Sequence, residues 1–212
     1  MTLGKTIRRA CFLCDPDPEL IYTENDHFVA MCGYGPVVPG YSIIATRAHV
    51  RSCADLNISE LAELTRFVAL VCERIGPSRA AVITEHGRVP ICDYLHGEAD
   101  PHCFHAHLLL FPDAPAIAES AARHAPLRAY RPTLADALSF ASTMDHYILI
   151  SAPGGTSFSI FAPPEPLIRQ FARSLVADAI SKPELTDWRA QENREVAVRY
   201  ATEFRAATGG TP

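Results

Sequence analysis

Pro101-His-Cys-Phe-His-Ala-His-Leu-Leu-Leu-Phe-Pro112 is the stretch whose reading decides the fold. It carries three of the chain's nine histidines and one of its seven cysteines, and prolines bound it at both ends. Side chains on a strand alternate between faces. A strand here puts Cys103, His105, His107 and Leu109 on one face, with Ala106, Leu108 and Leu110 packed on the other. A lone histidine on an apolar strand is most simply a core residue. Two at strand spacing, beside Cys103 and His102, point instead to metal ligation or proton transfer.

Working outward, the rest of the chain is that of an ordinary soluble globule. Its 212 residues are 48% hydrophobic and 20% charged, enough to bury one largish core. A net charge of −5 argues against a surface that coats nucleic acid. Nothing approaches the ~18 uninterrupted apolar residues of a membrane span. The basic start MTLGKTIRRA runs straight into Cys11 without an apolar signal segment, so a cytoplasmic location is expected. The cysteines are odd in number and scattered, which fits thiols and metal ligands better than a disulfide framework. Cys53 and Cys72 read as small buried hydrophobes.

Cys11-Phe-Leu-Cys14 sets two thiols on one tight turn, the geometry of half a tetrahedral zinc site. A redox pair shares this spacing, but such a pair opens a helix, and here Asp15-Pro16-Asp17-Pro18 follows. Short strands are expected at Ile21–Thr23, Phe28–Cys32 and Tyr41–Ala45, with Arg47 and His49 just past the third. Asn57 and Glu60 form a capping box for a helix Ile58–Ile75, whose apolar residues keep a helical period up to Gly76-Pro77. Arg79–Thr84 reads as a strand that ends in Glu85-His86-Gly87 and pairs antiparallel with the opening stretch. Beyond it the pattern predicts a helix over Thr133–Ser142 and a hairpin of His146–Ser151 and Ser157–Phe161. Two amphipathic helices are expected at Glu165–Ile180 and Arg194–Arg205. The architecture is therefore α+β, an antiparallel sheet of about five or more strands packed against helices.

Two cysteines of the turn, one middle histidine and one from the His105/His107 strand would close a Cys2His2 set. His49 is the best middle residue, because it follows a strand of the same sheet. His105 and His107 cannot easily share one ion, since same-face neighbours stand ~6.6–7 Å apart at their Cα atoms. One can bind metal while the other faces a substrate.

In that order, Cys11-x-x-Cys14, Pro39-Gly40-Tyr41, Arg47-Ala-His49 and His105-Ala-His107-Leu-Leu109-Leu-Phe-Pro112 resemble the histidine triad superfamily of nucleotide hydrolases and transferases. The resemblance covers Cys11 to Pro112. Gln170-Phe171, Arg173 and Asp187-Trp-Arg189 resemble the helical extension of some longer bacterial members, which also carry Glu-His-Gly. It implies a core over residues 1–125, with residues 126–212 as a C-terminal extension completing the same domain. It further implies zinc held by Cys11, Cys14, His49 and His105, and a nucleotidyl-histidine formed at His107. Tyr41, Arg47, Glu85 and Leu109 would then surround a small nucleotide-type substrate: a dinucleoside polyphosphate, a nucleoside phosphoramidate or a nucleotide sugar. No nucleic-acid or membrane partner is implied, and a homodimer is.

The chain departs from the family's pattern at the third triad position. Anchored on Pro112, the triad is His105, His107, Leu109 and lacks its last histidine. The alternative register, Cys103, His105, His107, lacks its first. The former keeps the two apolar residues and the proline where the family has them. Leucine can neither donate a hydrogen bond nor stabilise phosphoryl charge, so His102, taken with His107 as catalytic, or Tyr41 is expected to take over that role. A derived zinc-binding enzyme of the same fold with other small-molecule chemistry at Cys103 or Cys92, and a non-catalytic nucleotide-binding protein, remain alternatives.

Overall fold

The computed structural model describes residues 11–89, 105–163, 167–168 and 170–207. His102, Cys103 and Cys92 lie outside them. Strand β5 (His107–Pro112) is central to an eight-stranded antiparallel sheet. β1 (Ile21–Glu24), β2 (Phe28–Cys32) and β3 (Ser42–Thr46) flank it on one side. β4 (Ala81–Gly87), β7 (Tyr147–Ser151), β8 (Phe158–Phe161) and β6 (Leu127–Arg131) follow on the other. The order across the sheet is β1-β2-β3-β5-β4-β7-β8-β6. α+β is thus the observed class, with eight strands where five or more were expected.

Register gives the sheet two distinct faces. Ile43 and Thr84 lie opposite Leu109, and Ala45 lies opposite His107. His107, Leu109 and Phe111 therefore share a front face with Ile43, Thr84 and the Tyr41 ring, which stacks on Phe111 at 5.1 Å. Leu108 and Leu110 point to the back, where α1 (Ile58–Ile75) packs and Phe67 meets Phe28 at 5.8 Å. Asn57 accepts the Glu60 N–H at 3.0 Å while Glu60 takes the Asn57 N–H, closing the capping box. Such a cap contributes ~1 kcal/mol, whereas each of Leu64, Phe67, Val68, Val71 and Ile75 contributes ~1.5–3 kcal/mol by burial. Packing, more than propensity, holds this helix.

α3 (Leu134–Ala141) starts where Thr133 Oγ1 accepts the Asp136 N–H. The β7–β8 turn runs through Gly154 at φ 78° and Gly155 at φ 66°, a left-handed path that glycine follows without a Cβ clash. α5 (Arg194–Ala206) docks Phe204 edge-on against Tyr22, with ring centres 5.2 Å apart.

Three expectations need correction. The helix expected over Glu165–Ile180 is shorter: Gln170 adopts φ 56°, which no right-handed helix can pass through, and α4 is Phe171–Ala179. β5 begins at His107, so His105 stands just before the strand. The third correction adds elements, β6 and a short helix α2 (Ala118–Ala122), that no apolar period announced.

Candidate metal centre and active site

The CxxC turn is closed by the Cys14 N–H donating to the Cys11 carbonyl at 2.9 Å and anchored by buried Leu13. His49 follows β3 on a bend where Thr46 Oγ1 donates to the Ala48 carbonyl at 2.7 Å. His105, 4% exposed, enters from the start of β5. These three segments bring one ligand atom each from Cys11, Cys14, His49 and His105 within 4.8 Å of one another.

The hydrogen bonds decide the tautomer of His105. Its Nε2 lies 2.6 Å from the Thr46 carbonyl, and a carbonyl only accepts, so Nε2 carries the proton. Nδ1 is left as a lone pair aimed at the sulfurs, 3.3 Å from Cys11 Sγ and 3.5 Å from Cys14 Sγ. His49 Nδ1 stands 3.0 Å from Cys14 Sγ. Ordinary Zn–S and Zn–N bonds make a tetrahedron with edges of about 3.3–3.8 Å. The two His105 separations fall in that range, the His49–Cys14 pair is closer at 3.0 Å, and all four atoms lie within 4.8 Å. The donor set therefore fits a metal ion, with the Thr46 carbonyl orienting His105 from outside it. The Cys14 thiol is pushed up by desolvation and by the neighbouring Cys11 sulfur. Two adjacent thiolates repel, which is the condition a bound cation relieves.

His107 is half-buried on the front face. Its Nδ1 lies 2.7 Å from the His105 carbonyl, so Nδ1 carries the proton and Nε2 is the free lone pair of the neutral ring. Burial lowers its pKa, with the His105 carbonyl opposing and the His105 ring adding. The ring is thus oriented by the residue that also joins the cysteine cluster.

The other expected residues take varied places. Leu109 lies on the front face, 9% exposed, between Ile43 and Thr84. Tyr41 is buried between Phe111 and the Arg173 guanidinium, which sits 5.0 Å from its ring centre. Arg47 pairs with Glu24 at 2.6 Å and donates to the Asn25 carbonyl, tying down the β1–β2 turn. Glu85 points to the back face, away from His107. There it accepts the Cys53 N–H at 2.7 Å and the Tyr147 hydroxyl at 2.5 Å. Burial pushes its pKa up to about 7 against those two donors.

Sequence reasoning passed over His86 and Thr84. Both are on the front face of β4, and their Nε2 and Oγ1 atoms are buried with no hydrogen-bond partner among the described residues. The signal was present in Glu85-His86-Gly87: extending the strand pairing to a register would have set His86 against His107. A cavity of about 220 Å³, lined by Phe12, Asp17, Leu20, Met31, Tyr34 and Ile43, was also not foreseen. One of its lining residues, Ile43, pairs with Leu109, but neither His86 nor His107 lines it.

Fold and site together define a class: an antiparallel α+β sheet with a Cys2His2 cluster beside an oriented, half-buried histidine. No family profile matches the chain, and no curated protein sequence matches it either. Solved structures do match. A hypothetical histidine triad nucleotide-binding protein from Sulfolobus tokodaii is 20% identical, with a TM-score of 0.36 over 48% of this chain and 68% of its own. A histidine triad family hydrolase from Clostridium thermocellum is 23% identical, TM-score 0.34, over 52% of this chain and 92% of its own. Yeast Ap4A phosphorylase in complex with AMP is 11% identical, TM-score 0.44, over 85% of this chain and 79% of its own. The solved structures named here are thus histidine triad proteins and an Ap4A phosphorylase, but at such identities and TM-scores the likeness carries no weight for chemistry.

Proposed function

We propose that this chain is a zinc-stabilised nucleotidyl hydrolase or transferase of the histidine triad type, acting through His107. The observation that carries the reading is the 2.7 Å bond from His107 Nδ1–H to the His105 carbonyl, which leaves Nε2 unprotonated and aimed. In the first step the Nε2 lone pair bonds to the α-phosphorus of a nucleotide derivative. The P–O bond (P–N in a phosphoramidate) to the leaving group breaks, and that oxygen or nitrogen keeps the electron pair and takes a proton from solvent. Water or a second acceptor then attacks phosphorus, the P–N bond breaks, and its electron pair returns to Nε2 as the acceptor's proton goes to solvent.

Cys11, Cys14, His49 and His105 would hold the zinc. The ion supplies a cross-link that pins the CxxC turn to the start of β5; the chain's own contribution is to keep the His105 carbonyl, and so His107, in place. Residues 126–212 complete the same domain by adding β6, β7 and β8 to the sheet.

Incubation with diadenosine tetraphosphate and with an adenosine phosphoramidate, followed by intact-mass measurement, tests the reading. A +AMP adduct and turnover are expected, both lost on His107→Ala. The buried, apolar Leu109 favours a second reading, a non-catalytic nucleotide binder, and AMP binding without adduct or turnover would establish it. Metal analysis should find about one zinc per chain, lost with several kcal/mol of stability on Cys11→Ser. A metal-free chain of unchanged stability would remove zinc from the reading.

A further inference from the structure

The missing third histidine leaves the reacting phosphoryl group without a donor from position 109. The structure offers one from the neighbouring strand. Thr84 lies opposite Leu109 on β4 and β5, and the same register carried two residues further along each strand sets His86 opposite His107. Side chains opposite one another on antiparallel strands have Cβ atoms about 4.5–5.5 Å apart. His86 is near enough to His107 that, after burial, the His107 ring adds to the lowering of its pKa.

A packed core histidine accounts for His86 poorly. Its ring is half-buried and braced by Phe171 of α4 at 6.2 Å, and Phe171 is itself met edge-on by His124 at 5.8 Å. Yet Nε2 is enclosed and has no hydrogen-bond partner among the described residues. A buried polar atom left so costs about 1–3 kcal/mol, and Thr84 Oγ1, buried two residues away on the same face, is in the same condition. Two orphaned polar atoms beside an aimed nucleophile mark a place prepared for polar atoms of a ligand.

We propose that His86 supplies, from β4, the hydrogen bond to the transferred phosphoryl group that Leu109 cannot make. The neutral His86 ring donates Nε2–H to a non-bridging phosphoryl oxygen as His107 attacks, and no proton changes owner in that contact. Thr84 Oγ1 lies two residues along the strand and can donate to a neighbouring oxygen. This inference rests on His107 being the nucleophile, so its test separates the two.

The test is single-turnover formation of the AMP adduct from an adenosine phosphoramidate, in wild type and in His86→Ala, His86→Phe and His86→Ala/Leu109→His chains. The phenylalanine variant keeps a ring against Phe171 and removes both nitrogens, so loss of packing and loss of the donor are told apart. Adduct formation should slow by about 100-fold in both single variants, the size seen when one oxyanion donor is removed, with KM within about 3-fold of wild type. Leu109→His should recover at least about 10-fold in the alanine background, because it returns a donor to the same phosphoryl group from the next strand. No adduct in wild type would overturn the His107 reading and this inference with it. An adduct formed at wild-type rate without His86 would overturn this inference alone, as would a slowing that follows the loss of thermal stability and is not recovered by Leu109→His.

Discussion

Glu85 and His86 are neighbours on β4, point to opposite faces of one sheet, and are treated in opposite ways. Behind the sheet, Glu85 is 2% exposed and fully engaged: the Cys53 N–H and the Tyr147 hydroxyl donate to its two oxygens. Tyr147 lies so flat over Gly87 that a Cβ there would stand 2.1 Å from its ring, so the carboxyl and its partner are locked by the backbone itself. Behind the sheet the Glu85 carboxyl is satisfied, whereas in front the polar atoms of Thr84 and His86 are buried without a partner among the described residues. Burial alone does not distinguish a functional group from a structural one; the state of its hydrogen bonds does.

The largest consequence is that the two faces should titrate with opposite sign. Burial raises Glu85 from 4.5 to about 7, so between those values the folded chain holds a proton that the unfolded chain has lost. Its contribution is present below pH 4.5 and disappears as pH rises through about 7, a swing of about 3 kcal/mol. Burial, with His107 adding, lowers His86 from 6.5 to about 4. The unfolded chain then binds the extra proton, so its contribution is complete above pH 6.5 and is lost as pH falls towards 4. Between pH 4.5 and 6.5 the two slopes oppose each other. Urea unfolding across pH 4–8 should show Glu85→Gln steepening the rise of stability with pH, because the opposing Glu85 slope is removed and that of His86 and the other lowered histidines remains. His86→Phe should do the reverse. Parallel curves for both variants and wild type would mean that neither group is held as described.

Much of this was legible in the residues. The helix Ile58–Ile75 matches to the residue, because its capping box and apolar period agree with each other and with the sheet it covers. Spacing brought Cys11, Cys14, His49 and one of His105 or His107 together, and the family resemblance chose His105, the member found in the cluster. What escaped was what depends on partners outside the local segment. Glu85 was placed with the substrate because its neighbours in sequence suggest a site, but strand alternation turns it to the back. The edge strand β6 reads Leu-Arg-Ala-Tyr-Arg and is mostly exposed, so no buried face imposed a period on it. Arg47 stands past the end of β3, where a substrate contact is plausible, yet Glu24 across the β1–β2 turn takes its charge.

A smaller effect sharpens the contrast, because two changes that each delete one hydroxyl should differ in sign. Tyr147→Phe removes a donor from Glu85 and leaves one oxygen of a buried carboxyl unmatched, which costs about 1–3 kcal/mol. Thr84→Val removes a hydroxyl that has no partner and replaces it with a methyl of similar shape among Ile43, Leu109 and Ile150. Deleting an unsatisfied buried group is nearly neutral or stabilising, here by up to ~1 kcal/mol. Urea unfolding at pH 7.5 with unchanged m-values reads both. If Thr84→Val destabilised as much as Tyr147→Phe, the hydroxyl would have a partner in solution and the front face would be as satisfied as the back. Opposite signs would mean that at Thr84 stability has been given up for a polar atom that waits on a ligand.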